Sequence, residues 1–164
     1  MTAETSATEN PGAAPPGSLP RVDFYVLEEA SARARLRTAC RVVEKAYLAG
    51  QTVLVWHTEA EELREFDELL WTFSDGSFVP HEPLTAGGFD SAPVLLSVGT
   101  PPPGPVDVLV NLAADVPACS SVAQRVAEFI DGDPDRRQAG RARFRAYKDR
   151  GLQPTTHNLK TDLA

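Results

Sequence analysis

Val22-Asp23-Phe24-Tyr25-Val26-Leu27 and Thr52-Val53-Leu54-Val55-Trp56, with Arg33 to Ala49 between them, decide the fold of this chain. The first run is rich in β-branched and aromatic residues and reads as a strand. In the intervening segment Leu36, Cys40, Val43 and Tyr47 recur at offsets of four, three and four, which puts them on one face of a helix. Gly50 supplies the expected stop. The second run is apolar throughout, as in a strand covered on both faces. Together they form a β-α-β unit.

Working outward, Thr58 and Glu61 are spaced as a capping box, and the helix they open turns Leu63, Phe66, Leu69 and Leu70 toward the core while its outer face is acidic. A long Gly/Pro-punctuated connection runs from Phe73 to Pro93, and connections of that length often carry function. Strands are expected at 94–98 and 106–112, parted by Gly-Thr-Pro-Pro-Pro-Gly-Pro. Residues 120–131 read as a helix with Val122, Val126, Phe129 and Ile130 inward. Asp133 and Pro134 supply an N-cap and a first-turn proline for a last helix that runs to about Arg150 and closes at Gly151. Alternating β and α elements of this kind predict a three-layer α/β/α sandwich around a mainly parallel sheet, as one domain over 21–164. Residues 1–20 are small, polar and proline-rich and are expected to form a disordered tail.

The chain has 164 residues and a net charge of −7, so as a whole it is repelled by nucleic acid and by anionic membranes. Cys40 and Cys119 are the only cysteines, with no CxxC and no histidine at ligand spacing, which argues against a disulfide scaffold or a zinc module. No apolar run approaches a membrane span and no signal sequence is evident. A cytosolic protein with reduced thiols is expected.

An α/β fold invites a nucleotide reading. The turn after the first strand is Glu28-Glu29-Ala30-Ser31, with no GxGxxG and no P-loop, and its two carboxylates would repel a pyrophosphate. Gly87-Gly88 leads toward a strand and reads as a turn. His57, beside Glu59, Glu61 and Glu62, could serve as a general base oriented by a carboxylate, but capping by a surface histidine explains the same residues and no nucleophile motif accompanies it. Cys119 has no basic neighbour and reads as a small buried residue.

The charge distribution is more informative. Residues 136–150 hold seven cations against the single Asp149. On a helix, Arg137, Arg141, Phe144, Arg145 and Lys148 share one face, and like charges four apart disfavour the isolated helix. With no acids interleaved, such a face suits an anionic ligand, and a short acidic peptide matches it better than duplex DNA, which the acidic remainder of the chain would oppose. A second group of aromatics, Trp71, Phe73 and Phe78, lies around the end of the preceding acidic helix, and aromatics on a loop are typical interface anchors.

Asp67-Glu68-Leu69-Leu70-Trp71, Ser77-Phe78-Val79-Pro80-His81, Asp107-Val108-Leu109-Val110-Asn111-Leu112 and Arg141-Ala142-Arg143-Phe144-Arg145-Ala146-Tyr147-Lys148, in this order, resemble the chi subunit of bacterial DNA polymerase III, an accessory subunit of the clamp-loader complex. The resemblance spans about 22–159. It implies a nucleotide-binding-like sandwich without a working phosphate loop, no cofactor and no catalysis. It also implies an adaptor, cytoplasmic and tied to the nucleoid through the replisome, that meets DNA only indirectly and no membrane. The implied partners are the acidic C-terminal tail of single-stranded DNA-binding protein and the psi subunit, with an iron–sulfur helicase as an alternative occupant of the psi surface. Carried over by position, the tail site is Arg137, Arg141, Phe144 and Arg145 with Ile130 as an apolar wall, and the psi or helicase site is Trp71, Phe78 and Pro80. The rival reading is a nucleotide-dependent enzyme on the same scaffold using His57 and its neighbouring carboxylates.

Overall fold

The computed structural model describes residues 19–85 and 88–160. Its strands are β1 (Arg21–Leu27), β2 (Val53–His57), β3 (His81–Pro83), β4 (Val94–Val98), β5 (Val106–Asn111), β6 (Ala123–Ile130) and β7 (Thr155–Leu159). They form one sheet in the order β3-β4-β2-β5-β6-β1-β7, and every pairing is parallel. Helices α1 (Ala32–Leu48) and α2 (Ala60–Thr72) cover one face, and α3 (Pro134–Asp149) covers the other. The expected parallel sheet flanked by helices is what forms. The expectation for residues 1–20 lies, apart from Leu19 and Pro20, outside the described residues.

Leu36, Val43, Val55, Phe66 and Leu70 join in the apolar layer beneath α1 and α2. Phe24, Leu54, Leu109, Val126 and Tyr147 fill the layer beneath α3. The strands between the two layers are buried on both sides, so they carry no period-two signal.

Two local expectations are corrected, and one strand was not expected. Residues 120–131 are a single 3-10 turn, Ser120–Val122, followed by the strand β6. Val126, Phe129 and Ile130 sit at helical offsets only because β6, paired between β5 and β1, is buried on both faces, while Val122 is exposed. The capping box also fails to form. Glu59 is the N-cap of α2 and has no side-chain cap; instead the backbone N–H groups of Thr58 and Glu59 donate to His57 Nδ1 at 2.9 and 3.2 Å. Finally, the polar run Thr155–Leu159 forms an edge strand that has no hydrophobic pattern to announce it.

Candidate functional site

Helix α3 begins where sequence chemistry places it. Asp133 caps it by accepting from Arg136 N at 3.0 Å, and Pro134 occupies the first turn. Gly151, at φ +86°, adopts the left-handed conformation that ends it. What fixes α3 against the sheet is a buried carboxylate. Glu128 of β6 accepts from Arg143 Nε at 2.7 Å, from the Tyr147 hydroxyl at 2.6 Å and from Asn111 Nδ2 at 2.9 Å. Arg143 donates further to Ala114 O at 2.8 Å. Burial, together with the Glu128 charge and hydrogen bond, pushes the Tyr147 hydroxyl well above its ordinary pKa, so it remains a donor.

A further constraint is steric. A Cβ on Gly140 would come within 2.2 Å of Ile130 Cδ1, so the helix approaches the sheet as closely as it does only because position 140 lacks a side chain.

The cations of α3 therefore divide. Arg136 makes a bidentate pair with Asp131 at 2.6 and 2.7 Å, and Arg143 is buried on Glu128. Both have acid partners, although none is interleaved along the helix itself. Those acids belong to β6 and the residue just after it.

Arg137 donates to Leu27 O at 3.3 Å. Arg141, Phe144, Arg145 and Lys148 converge on a surface concavity of about 290 Å³. Its floor is the half-buried Phe144, whose ring lies 5.3 Å from that of Phe24 and 5.9 Å from Lys148 Nζ. Of the residues assigned to a tail site, Arg141, Phe144 and Arg145 are brought together here. Arg137 lies one turn away on the same flank, and Lys148 completes the cluster. Ile130 is buried beneath Gly140 and supports the helix from below.

The second group lies on the opposite face of the sheet. Gly76, at φ +77°, turns the chain after α2. Val79 then points inward, while Phe78 stays 64% exposed beside Trp71, itself 48% exposed. Their ring centroids are 5.5 Å apart. Trp71 also packs at 4.3 Å on His81, which is held between the Asp67 carboxylate and Val79 O, both at 2.7 Å. Pro80 is half-buried next to them. The role of His81 as the support under Trp71 was not foreseen; its spacing from Asp67 crosses a loop.

His57 is a buried residue and not the surface histidine that capping implied. Its Nε2 lies 2.6 Å from Glu62 Oε1, and its Nδ1 accepts the two backbone N–H groups at the start of α2, so neither nitrogen is free to take a proton from a substrate. The His57 hydrogen bond, aided by Arg35, holds the Glu62 carboxyl below its ordinary pKa. Arg35, His57, Glu62, Arg136 and Arg143 line a cavity of about 270 Å³ at the carboxyl ends of the strands, and each of these five side chains is already paired, while the carboxylates of Glu59 and Asp135 also face it. Burial raises the Cys40 thiol to about 12 and also raises that of Cys119. Among the described residues no group of three or more His, Cys, Asp or Glu is arranged to hold a metal ion.

These two surfaces occur on a chain with well-defined relatives. A family model described as DNA polymerase III chi subunit matches residues 19–155. DNA polymerase III subunit chi of Pseudomonas aeruginosa is 39% identical over 139 residues, covering 85% of this chain and 96% of that relative. The subunit chi of Haemophilus influenzae is 25% identical over 137 residues, covering 83% of this chain and 95% of its own length. That of Escherichia coli is 25% identical over 122 residues, covering 74% and 83%. With residues 19–155 matched by the family model and 85% of the chain covered by a relative 39% identical to it, the chain belongs to the DNA polymerase III chi subunit family.

Proposed function

We propose that the chain is a non-catalytic replication adaptor that holds the acidic C-terminal tail of single-stranded DNA-binding protein on α3 and the psi subunit on the Trp71–Phe78–Pro80 surface. The observation that carries this reading is the convergence of Arg141, Arg145 and Lys148 around the Phe144 ring. None of these three cations has an acid partner among the described residues. Exposed like charges gathered on one face do nothing for folding, but they suit a peptide that brings carboxylates and one apolar side chain. Arg137 extends the cationic flank by one turn, and Ile130 keeps the helix at its working height. The Trp71–Phe78 pair supplies an apolar anchor of the kind that dominates protein interfaces.

The sheet does not serve as a nucleotide site in this reading. The carboxylates of Glu28 and Glu29 follow β1, and the start of α1 is already occupied by a carboxylate, since Ser31 N donates to Asp131 Oδ2 at 2.7 Å. Cytoplasmic residence with the replisome follows from the same partners; no helix among the described residues is long and apolar enough to cross a membrane. Calorimetric titration with an acidic, apolar-ended peptide tests the α3 site, with binding that weakens as salt rises as the expected result. Separate pull-downs with psi and with an iron–sulfur helicase test the aromatic site and decide its occupant.

A further inference from the structure

The two edges of the sheet are treated differently. At one edge β3 is three residues long and contains Glu82 and Pro83, both features that discourage another strand from pairing. At the other edge β7 is five residues long, Thr-Thr-His-Asn-Leu, with no proline, no lysine and no carboxylate. Its β1 side is paired throughout. Among the described residues its outer backbone groups have no strand partner. An edge so lightly guarded is a template for strand addition.

This edge lies beside the cationic flank of α3. Arg136 and Arg143 leave the helix toward Asp131, Glu128 and Ala114, on the β6 and β5 side. Arg137 and Phe144 leave it on the other side, toward Leu27 and Phe24 of β1. The strand beyond β1 is β7, where Thr156 pairs opposite Phe24 and Asn158 opposite Val26. Residues in register share a face, so Thr156 and Asn158 lie on the α3 side, Thr156 opposite the Phe24 whose ring packs on Phe144.

We propose that an extended acidic peptide binds by adding to β7 as an eighth strand, its alternate side chains reaching the Arg141, Phe144 and Lys148 flank of α3. This deepens the tail-site reading and rests on it. In this arrangement the backbone of β7 supplies affinity that is indifferent to side chains, and α3 supplies the preference for acids and for an apolar end. Thr156 and Asn158 become the polar margin of the site.

The experiment uses the full chain and a synthetic peptide of aspartates ending in two apolar residues. Amide hydrogen exchange is measured with and without peptide, and affinities are compared for two versions of the peptide, N-methylated on complementary sets of alternate backbone nitrogens. The expected result is that alternate amides within 155–159 gain protection. One methylated frame should bind at least tenfold more weakly, and the other within about twofold of the parent, because only one set of N–H groups faces β7. If the parent peptide binds and depends on Arg141 and Arg145, but β7 exchange is unchanged and both methylated frames bind alike, strand addition is overturned while the cationic site stands. If the parent peptide does not bind at all, both readings fall together. If sedimentation shows a dimer whose β7 amides are protected without peptide, the edge belongs to a second copy and the proposal is wrong.

Discussion

Arg143 and Arg145 are two residues apart on one helix and do opposite work. Arg143 is 5% exposed and held on Glu128 and Ala114 O, whereas Arg145 is exposed at the rim of the concavity. The first is an internal strut whose charge was neutralised when the chain folded. The second keeps its charge for a ligand. An arginine-rich helix is thus not one basic object; its function is decided by which guanidiniums the sheet has already consumed.

The sharpest way to break this contrast is to remove the strut. Glu128→Ala leaves Arg143 without its carboxylate and removes the shared acceptor of Tyr147 and Asn111, all inside the protein. Losing one member of a buried charged network costs about 3–5 kcal/mol, so the melting temperature should collapse and peptide binding should vanish with the fold. On the outer face, Arg141→Ala combined with Arg145→Ala should leave the melt close to that of the parent. Each lost charge-assisted contact should weaken an acidic peptide by about 1.5–3 kcal/mol, on the order of tenfold to a hundredfold by calorimetry. An unchanged affinity would remove α3 as the tail site.

The buried acids give the next effect. Burial raises the carboxyls of both Asp23 and Asp131, but the His157 and Arg125 hydrogen bonds on Asp23, and the Arg136 hydrogen bonds on Asp131, outweigh it and leave each below its ordinary value. A carboxyl depressed in the folded state stabilises above its unfolded pKa, near 4, and that stability is lost as pH falls through the folded value. Thermal melts should therefore hold steady from neutral pH to about 5 and decline below about 4. A melt that rises on acidification would contradict these pairings.

Smallest of all should be the effect of Phe78→Ala on folding, within about 0.5 kcal/mol, since the ring is mostly exposed. The same variant should lose its partner at the aromatic surface and keep its peptide affinity, because the sheet lies between the two sites. A melt lowered by several kcal/mol would show that Phe78 holds the loop together and is no anchor.

The sequence was most legible where one face of an element meets one environment. The β1-α1-β2 unit followed from apolar runs and a clean helical stripe, and α3 from Asp133, Pro134 and Gly151. Legibility failed where burial was two-sided or absent. In β6, Val126, Phe129 and Ile130 imitate a helix because both faces are covered, and Glu128 looks exposed because its partners lie 15 and 19 residues ahead and 17 behind. In β7 an edge position asks for no apolar residue at all. The pairing of Arg136 and Arg143 was hidden for the same reason: helix periodicity locates a side chain on its own helix but says nothing of the acids that another element brings to it.

The burial of Cys40 carries a chemical consequence. Oxidants attack the thiolate, and burial both pushes the Cys40 thiol up to about 12, which keeps it protonated at neutral pH, and leaves it with no solvent exposure. Hydrogen peroxide at concentrations that convert reactive sensor thiols to sulfenic acid should therefore leave this side chain untouched.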